Sequence, residues 1–160
     1  MPIVFEVREV VEDDLDDLLR LNQDLFDYEF EQGFSNTYNR EWTYSETGKN
    51  FFKSFISDQD RNAWVAVNEN GEAVAYIACA MHDLAFRSPT KVCEIEMAYV
   101  DEGYRCSGIG RTLVDECKKW ASEKNAGIIR VGALAKNKHA RDFYQKWGFE
   151  EAEIMYEMSL

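Results

Sequence analysis

The side chains most able to do chemistry in this 160-residue chain lie in one stretch, Glu94–Arg111, which reads EIEMAYVDEGYRCSGIGR. Glu94 and Glu96 stand two apart, so on a strand they share a face. Either could take a proton from an ammonium group if burial or the neighbouring carboxylate lifted its pKa above the usual ~4.3. The plain alternative is a solvated strand face. Arg105-Cys106-Ser107-Gly108-Ile109-Gly110 then opens a helix through two glycines. The first N–H groups of a helix have no partner and its dipole is positive there, which suits a phosphate. Glycine lets a ligand come close to the backbone. No GK[ST] follows, so this is no Walker loop, and Leu113 stands where a dinucleotide fingerprint needs its third glycine. A helix that merely begins after a glycine turn is the competing reading.

The elements that must hold these residues follow from apolar spacing. Ile3–Arg8 alternates as a strand, and Val11 to Phe30 repeats at helical spacing. Residues 33–48 form a polar loop carrying aromatics, and a helix follows over Glu46–Ser57. Asn62–Val67 and Glu72–Met81 predict a hairpin turned by Asn68–Gly71. Lys91–Val100 is the next strand, and it delivers the two glutamates. Ile109–Lys124 is an amphipathic helix ended by Asn125-Ala126-Gly127. Ile128–Leu134 is a strand, residues 140–147 a short helix stopped by Gly148, and Phe149–Met158 a closing strand. The order β-α-α-β-β-β-α-β-α-β implies an α/β or α+β domain with a mixed sheet.

Composition narrows the partners. The chain has 18 Lys+Arg against 30 Asp+Glu, a net charge of −12. That balance argues against nucleic acid and against an anionic membrane surface. Apolar residues at 46% suffice for a core, and no apolar run reaches membrane-spanning length. The start lacks the basic region of a signal peptide. The length favours a single domain over residues 1–160. Cys79, Cys93, Cys106 and Cys117 include no CxxC pair, so they read as reduced thiols of a cytoplasmic protein. With His82 and His139 the only histidines, no metal site is expected. Charge is also uneven along the chain. Residues 105–146 hold ten Lys/Arg and four Asp/Glu, the rest eight and twenty-six. A basic half suits an anionic cofactor and an acidic half a cationic acceptor. The alternative is that the lysines simply solvate two helices.

About thirty residues after the glycine turn comes NKHARDFYQKWGF, residues 137–149. Together with MAYVDEGYRCSGIGRTLV, this stretch resembles the two motifs of the GNAT family of N-acetyltransferases, R/Q-x-x-G-x-G/A and N-x-x-A-x-x-F-Y-x-x-x-G-F. The resemblance implies a mixed, mostly antiparallel sheet flanked by helices, with acetyl-CoA bound at the strand–turn–helix. It implies transfer of an acetyl group to an amine without a metal. By position, the backbone of Arg105, Cys106, Ser107, Gly108, Ile109, Gly110 and Arg111 would wrap the pyrophosphate. Ala98, Tyr99 and Val100 would pair with the pantetheine arm, and Asn137 would touch the cofactor further along. Tyr144 falls at the family's general acid and Glu94 at the base of its histone-modifying branch. Glu102-Gly103 replaces the proline common before the turn. Dimers are frequent in the family, so a homodimer is among the expectations.

Individual residues keep their plainer readings. Tyr144 shares a stripe with Ala140 and Trp147, where a core tyrosine would also fit. Cys106, at a helix start, could be a nucleophile. His82 could line the acceptor site, and His139 a surface or phosphate contact. Tyr28, Phe34, Tyr38, Trp42 and Tyr44 form either an acceptor wall or a satellite apolar cluster. Three functions stay open: a small-amine acetyltransferase, a protein or peptide acetyltransferase, and a non-catalytic acyl-CoA-binding module.

Overall fold

The computed structural model describes residues 2–160. Five strands, β1 (Phe5–Glu9), β2 (Arg61–Asn68), β3 (Ala73–Asp83), β4 (Lys91–Val100) and β5 (Ile128–Val131), form one sheet in chain order. The first four are antiparallel neighbours and β5 runs parallel to β4. A parallel pair needs a crossover, which α3 (Ile109–Glu123) supplies. The helices α1 (Leu15–Glu31), α2 (Glu46–Ser57) and α4 (Lys138–Lys146) complete the fold.

The predicted mixed, mostly antiparallel sheet flanked by helices is the architecture found. Its centre, β3, is apolar throughout most of its length because helices cover both faces. On one face, Ile109, Leu113, Val114, Cys117 and Trp120 of α3 pack against Trp64, Ile77, Cys93 and Ile95. On the other, Leu18 and Leu21 of α1 and Phe52 and Phe55 of α2 meet Val65, Tyr76 and Ala78. The fully buried Tyr76 hydroxyl donates to Asn22 Oδ1, and Asn22 Nδ2 donates to Thr43 Oγ1, both at 2.8 Å. These two bonds fasten the loop between α1 and α2 to the sheet.

Helix α1 starts later than the apolar spacing suggested. The Asp14 carboxylate accepts two bonds from Arg8 and one from the Val11 N–H, which holds residues 12–14 in a 3-10 turn. Arg8 keeps that carboxyl below its usual range. The expectation for the cysteines is corrected. Cys79 and Cys117 are joined in a disulfide between β3 and α3, while Cys93 and Cys106 are free. Their 38-residue separation carries no local signal; the packing of α3 on β3 brings them together.

The closing strand over Phe149–Met158 is also corrected. Residues 149–160 belong to no strand, and 150–160 are exposed throughout. A strand needs a hydrogen-bonding neighbour, and the outer edge of β5 has none among the described residues. No described helix is long and apolar enough to cross a membrane.

Candidate active site

The site forms where the sheet opens. β4 and β5 pair only from Val92 with Ile128 to Ile95 with Val131. Beyond Ile95 the β5 side of β4 is free. On the other side, Met97 and Tyr99 are opposite Ala78 and Tyr76, and the Asp101 N–H donates to Val74 O at 2.9 Å. Backbone groups alternate along a strand, so Ala98 and Val100 turn theirs to the free edge and Tyr99 turns its own into β3. Of the three residues predicted to meet a pantetheine arm, two present backbone to the opening. Arg105 Nε donates to the Val100 carbonyl at 3.0 Å, and its guanidinium lies 4.2 Å from the centre of the Tyr28 ring.

The free edge leads to the glycine turn. Cys106 and Gly108 both take positive φ, 59° and 92°, and α3 starts at once behind them. The N–H groups of residues 106–111 meet no acceptor among the described residues, so six donors sit at the positive end of a helix. A Cβ on Gly108 would meet nothing within 4 Å, and glycine is needed there for φ alone. Gly110 is different: a Cβ would stand 3.2 Å from the Phe143 ring. It is small so that α4 can dock on α3. Arg111 stacks 4.0 Å from the Trp147 ring and bonds Asp115 at 2.9 Å. These two line a second pocket of about 260 Å³ with Lys118 and Lys146. Asn137 caps α4, its Oδ1 accepting from the Ala140 N–H at 3.1 Å. That oxygen is therefore committed to the helix.

Tyr144 lies half-buried on α4, edge-on to Phe143 and Phe149. Burial, and then the charge of Glu29, push its hydroxyl up to about 12. It therefore keeps its proton in neutral solution. Glu94 and Glu96 do come together, and a bulge brings them there. The register with β3 jumps between Cys79 and Ala78, leaving Glu96 without a cross-strand partner. His82 Nε2 stands 3.1 Å from Glu96 and 3.5 Å from Glu94, and Arg130 of β5 bonds Glu94 at 2.9 Å. The donor atoms of His82, Glu94 and Glu96 lie within 4.8 Å of one another, as do those of Cys79, Cys93 and Cys117. Arg130 already brings positive charge to Glu94, and His82 Nε2 reaches Glu96, so the first group is a hydrogen-bonded chain with one ion pair at its end. In the second, two of the three sulfurs are spent on each other.

Across the sheet edge lies a pocket of about 260 Å³ lined by Phe26, Thr37, Tyr38, Asn39, Trp42 and Met97. Tyr38 and Trp42, from the aromatic loop, pack on Phe26 at 4.7 and 6.0 Å. Tyr28 and Phe34 pair edge-on beside them, while Tyr44 is exposed. Behind this wall Glu29 is only 9% exposed. Burial raises its carboxyl to about 7, against a bond from Tyr38 that lowers it. Burial first, and the charge of Glu29 after it, raise the hydroxyls of Tyr38, Tyr76 and Tyr144. Sequence reasoning passed over Glu29. Its one signal was an acidic residue on the apolar stripe of α1, three positions after Phe26.

The chain has known relatives. A family model described as "Acetyltransferase (GNAT) family" matches residues 17–149. The chain belongs to the GNAT family. An uncharacterised N-acetyltransferase of Methanocaldococcus jannaschii is 28% identical over 151 residues, 94% of this chain. The chain spans only 63% of that relative's length. One from Archaeoglobus fulgidus is 28% identical over 139 residues, covering 87% of this chain and 88% of its own. Among solved structures, the aminoglycoside acetyltransferase AAC(6')-Iy, in complex with the bisubstrate analogue CoA-S-monomethyl-acetylneamine, superposes with a TM-score of 0.77. It is 15% identical over 98% of this chain and 99% of that one. A variant of a Bacillus halodurans protein reaches 0.81 at 21% identity, over 97% and 99% of the two chains. At these identities the structures speak for the fold.

Proposed function

We propose that residues 1–160 form one N-acetyltransferase domain that moves the acetyl group of acetyl-CoA to a primary amine of a small cationic molecule. The observation that carries this reading is the open edge of β4. It runs from the six free N–H groups of the turn at one end to an aromatic-walled pocket at the other, with the buried Glu29 behind that wall. A linear thioester with a pyrophosphate at its far end fits such a track. The AAC(6')-Iy complex, with a CoA–aminoglycoside conjugate in the same fold, supports the pairing of the two halves. The pocket, about 260 Å³, walled by aromatics and open to solvent on one side, is of a size for a small acceptor.

Both substrates are bound when the amine attacks. Arg105, Cys106, Ser107, Gly108, Ile109, Gly110 and Arg111 hold the pyrophosphate, chiefly through backbone N–H groups. The Ala98 and Val100 backbone aligns the pantetheine arm, and an N–H on the free edge steadies the oxyanion. Glu96, exposed by the bulge and hydrogen-bonded to His82, takes the proton that the ammonium sheds before attack. Glu94 and Arg130 fix the position of that pair. Tyr144 gives its hydrogen to the departing sulfur. A thiolate born in the same dry cleft is raised by the same desolvation as the tyrosine, so their proton affinities stay comparable.

A thiol-release assay with acetyl-CoA and a panel of amines tests the reading. Turnover is expected with polyamines, aminoglycosides or amino-acid amines, with kcat/KM falling as salt rises through a Debye length of ~8 Å at ~0.15 M. Turnover confined to peptides would move the function to protein acetylation. Binding of CoA with no thiol release from any amine would leave a sensor module.

A further inference from the structure

Three cysteines from three elements bring their sulfurs to one place in the core. Cys79 lies on β3, Cys93 on β4 and Cys117 on α3, and all three are fully buried. Cys79 is opposite Ile95, and Cys93 stands two residues before Ile95, so both side chains rise on one face of the sheet. Helix α3 packs on that face and carries Cys117 to them. Cys93 Sγ is 3.9 Å from Cys117 Sγ, and the three sulfurs lie within 4.8 Å of one another. Sulfurs that share one ion at ~2.3 Å stand roughly 4 Å apart. The cluster thus has the spacing of ligands around a single centre. In the oxidised chain the bond between Cys79 and Cys117 closes it, and reduction opens it.

The surroundings select the kind of centre. Among the described residues no further His, Cys, Asp or Glu donor joins the three sulfurs. Trp64, Ile77, Ile95, Leu113 and Trp120 share their apolar cluster. Thiolates prefer soft, polarisable centres. A divalent cation on three thiolates would leave a net negative charge in this core, which is costly, and zinc would still want a fourth ligand. A trivalent centre on three thiolates is neutral. Trivalent arsenic also needs no fourth ligand, because its lone pair fills that position.

We propose that Cys79, Cys93 and Cys117 of the reduced chain form a binding site for trivalent arsenic, taken up as arsenous acid. Three S–H and three As–O bonds break and three As–S bonds form. The thiol protons leave with the hydroxyls as three water molecules, and no electrons move. Reduction of the disulfide comes first. It takes two electrons from an added phosphine, which leaves as its oxide, and two protons from water. Arsenous acid is small and uncharged, and it reaches the sulfurs when α3 parts locally from the sheet. The bound centre ties β3, β4 and α3 together, where the disulfide ties β3 to α3 alone. The site stands on the three sulfurs and is independent of the acetyl-transfer reading.

The full chain, reduced with a phosphine under argon until four free thiols are counted, is mixed with sodium arsenite and freed of excess by gel filtration. Elemental analysis should give one arsenic per chain, and X-ray absorption three sulfur neighbours around it. Free thiols should fall from four to one, the survivor being the exposed Cys106. The melting temperature of the reduced chain should rise with arsenite concentration, as with any ligand of the folded state. The oxidised chain should bind none. Cys106→Ser should bind arsenic as the parent does, while Cys93→Ser should show two sulfur neighbours and a Kd weaker by ~10-fold or more. Circular dichroism checks that each variant is folded. Should Cys93→Ser fail to fold, the thiol count and the sulfur neighbours in the parent decide. A reduced chain that takes up no arsenic overturns the proposal. So do two sulfur neighbours in the parent, loss of the Cys106 thiol in a one-to-one complex, equal uptake by the oxidised chain, or preferential uptake of zinc from an equimolar mixture.

Discussion

The two ends of the β4 cleft are built in opposite ways. At the cofactor end, one continuous stretch, residues 98–111, provides strand edge, turn and helix start. Its contacts are with backbone, so they depend on φ angles and on what is small. At the end proposed for the acceptor, Phe26 comes from α1, Tyr38 and Trp42 from a loop and Met97 from β4, with Glu29 of α1 behind them. Its contacts are with side chains gathered from distant positions. Backbone recognition tolerates change in side-chain type except where conformation forbids it; side-chain recognition does not. The first end can therefore serve one ligand in many proteins, while the second is free to vary with the acceptor.

Transfer between the two ends is proposed to end with Tyr144 as acid, and the largest effect is expected there. Tyr144→Phe keeps the ring packed between Phe143 and Phe149 and removes the proton. Steady-state kinetics should show kcat lower by ~10²–10⁴-fold with acetyl-CoA affinity little changed. Full activity would return Tyr144 to a packing role. Ping-pong kinetics with a trapped acetyl-Cys106 would replace direct transfer by a covalent route.

Gly108→Ala isolates the cofactor end. Its Cβ meets nothing, so only the left-handed conformation is penalised, by ~1–2 kcal/mol. Calorimetry should show acetyl-CoA binding weakened by roughly 10-fold, with acceptor KM unmoved. Gly110→Val is a poorer probe, because it strikes Phe143 and loosens α4 as well.

Glu29→Gln isolates the acceptor end. If Glu29 pairs with the ammonium of the proposed acceptor, removing its charge should raise acceptor KM by roughly 10-fold and leave acetyl-CoA affinity alone. In the parent, acceptor KM should fall as pH rises through about 7, where Glu29 ionises; the variant should lose that step. A KM profile that is the same in both proteins would remove Glu29 from the acceptor site.

The smallest effect concerns stability. The folded carboxyl of Glu29 holds its proton up to about 7 against an ordinary 4.5. Its neutral form is the one that folding favours, so the contribution is complete below pH ~4.5 and is lost as pH climbs through about 7. Chemical denaturation from pH 5 to 8 should show the parent losing up to ~3 kcal/mol relative to Glu29→Gln.

What the sequence disclosed follows the same division. The strand, turn and helix of the cofactor end were legible because they are contiguous and their reasons are local: alternation, glycine and helical spacing. Lys91–Val100 was placed to the residue. Glu94 and Glu96 were found, but the bulge that exposes Glu96 was not, since a bulge is a matter of register with β3. Arg130 was hidden because its partner Glu94 stands 36 residues away in sequence, and Glu29 because its burial depends on how the loop after α1 folds back over that helix. Asn137 was read toward the cofactor and serves as a cap, a local role that its position before α4 already allowed. The disulfide and the unpaired state of residues 149–160 were missed for one reason. Each depends on which surfaces meet, and alternation alone does not name a strand's partner.

The free edge of β4 has a thermodynamic consequence. Its unpaired amides and carbonyls, with the six donors of the turn, are hydrated until a ligand replaces the water. A ligand that binds only the folded chain adds RT ln(1 + [L]/Kd), ~2.7 kcal/mol at a hundred times its Kd. For a domain whose whole stability is of the order of 5–15 kcal/mol, that is a substantial share. The midpoint of thermal unfolding should therefore climb with acetyl-CoA concentration. The supply of acetyl-CoA in the surroundings would set how rarely the chain unfolds, as well as how fast it works.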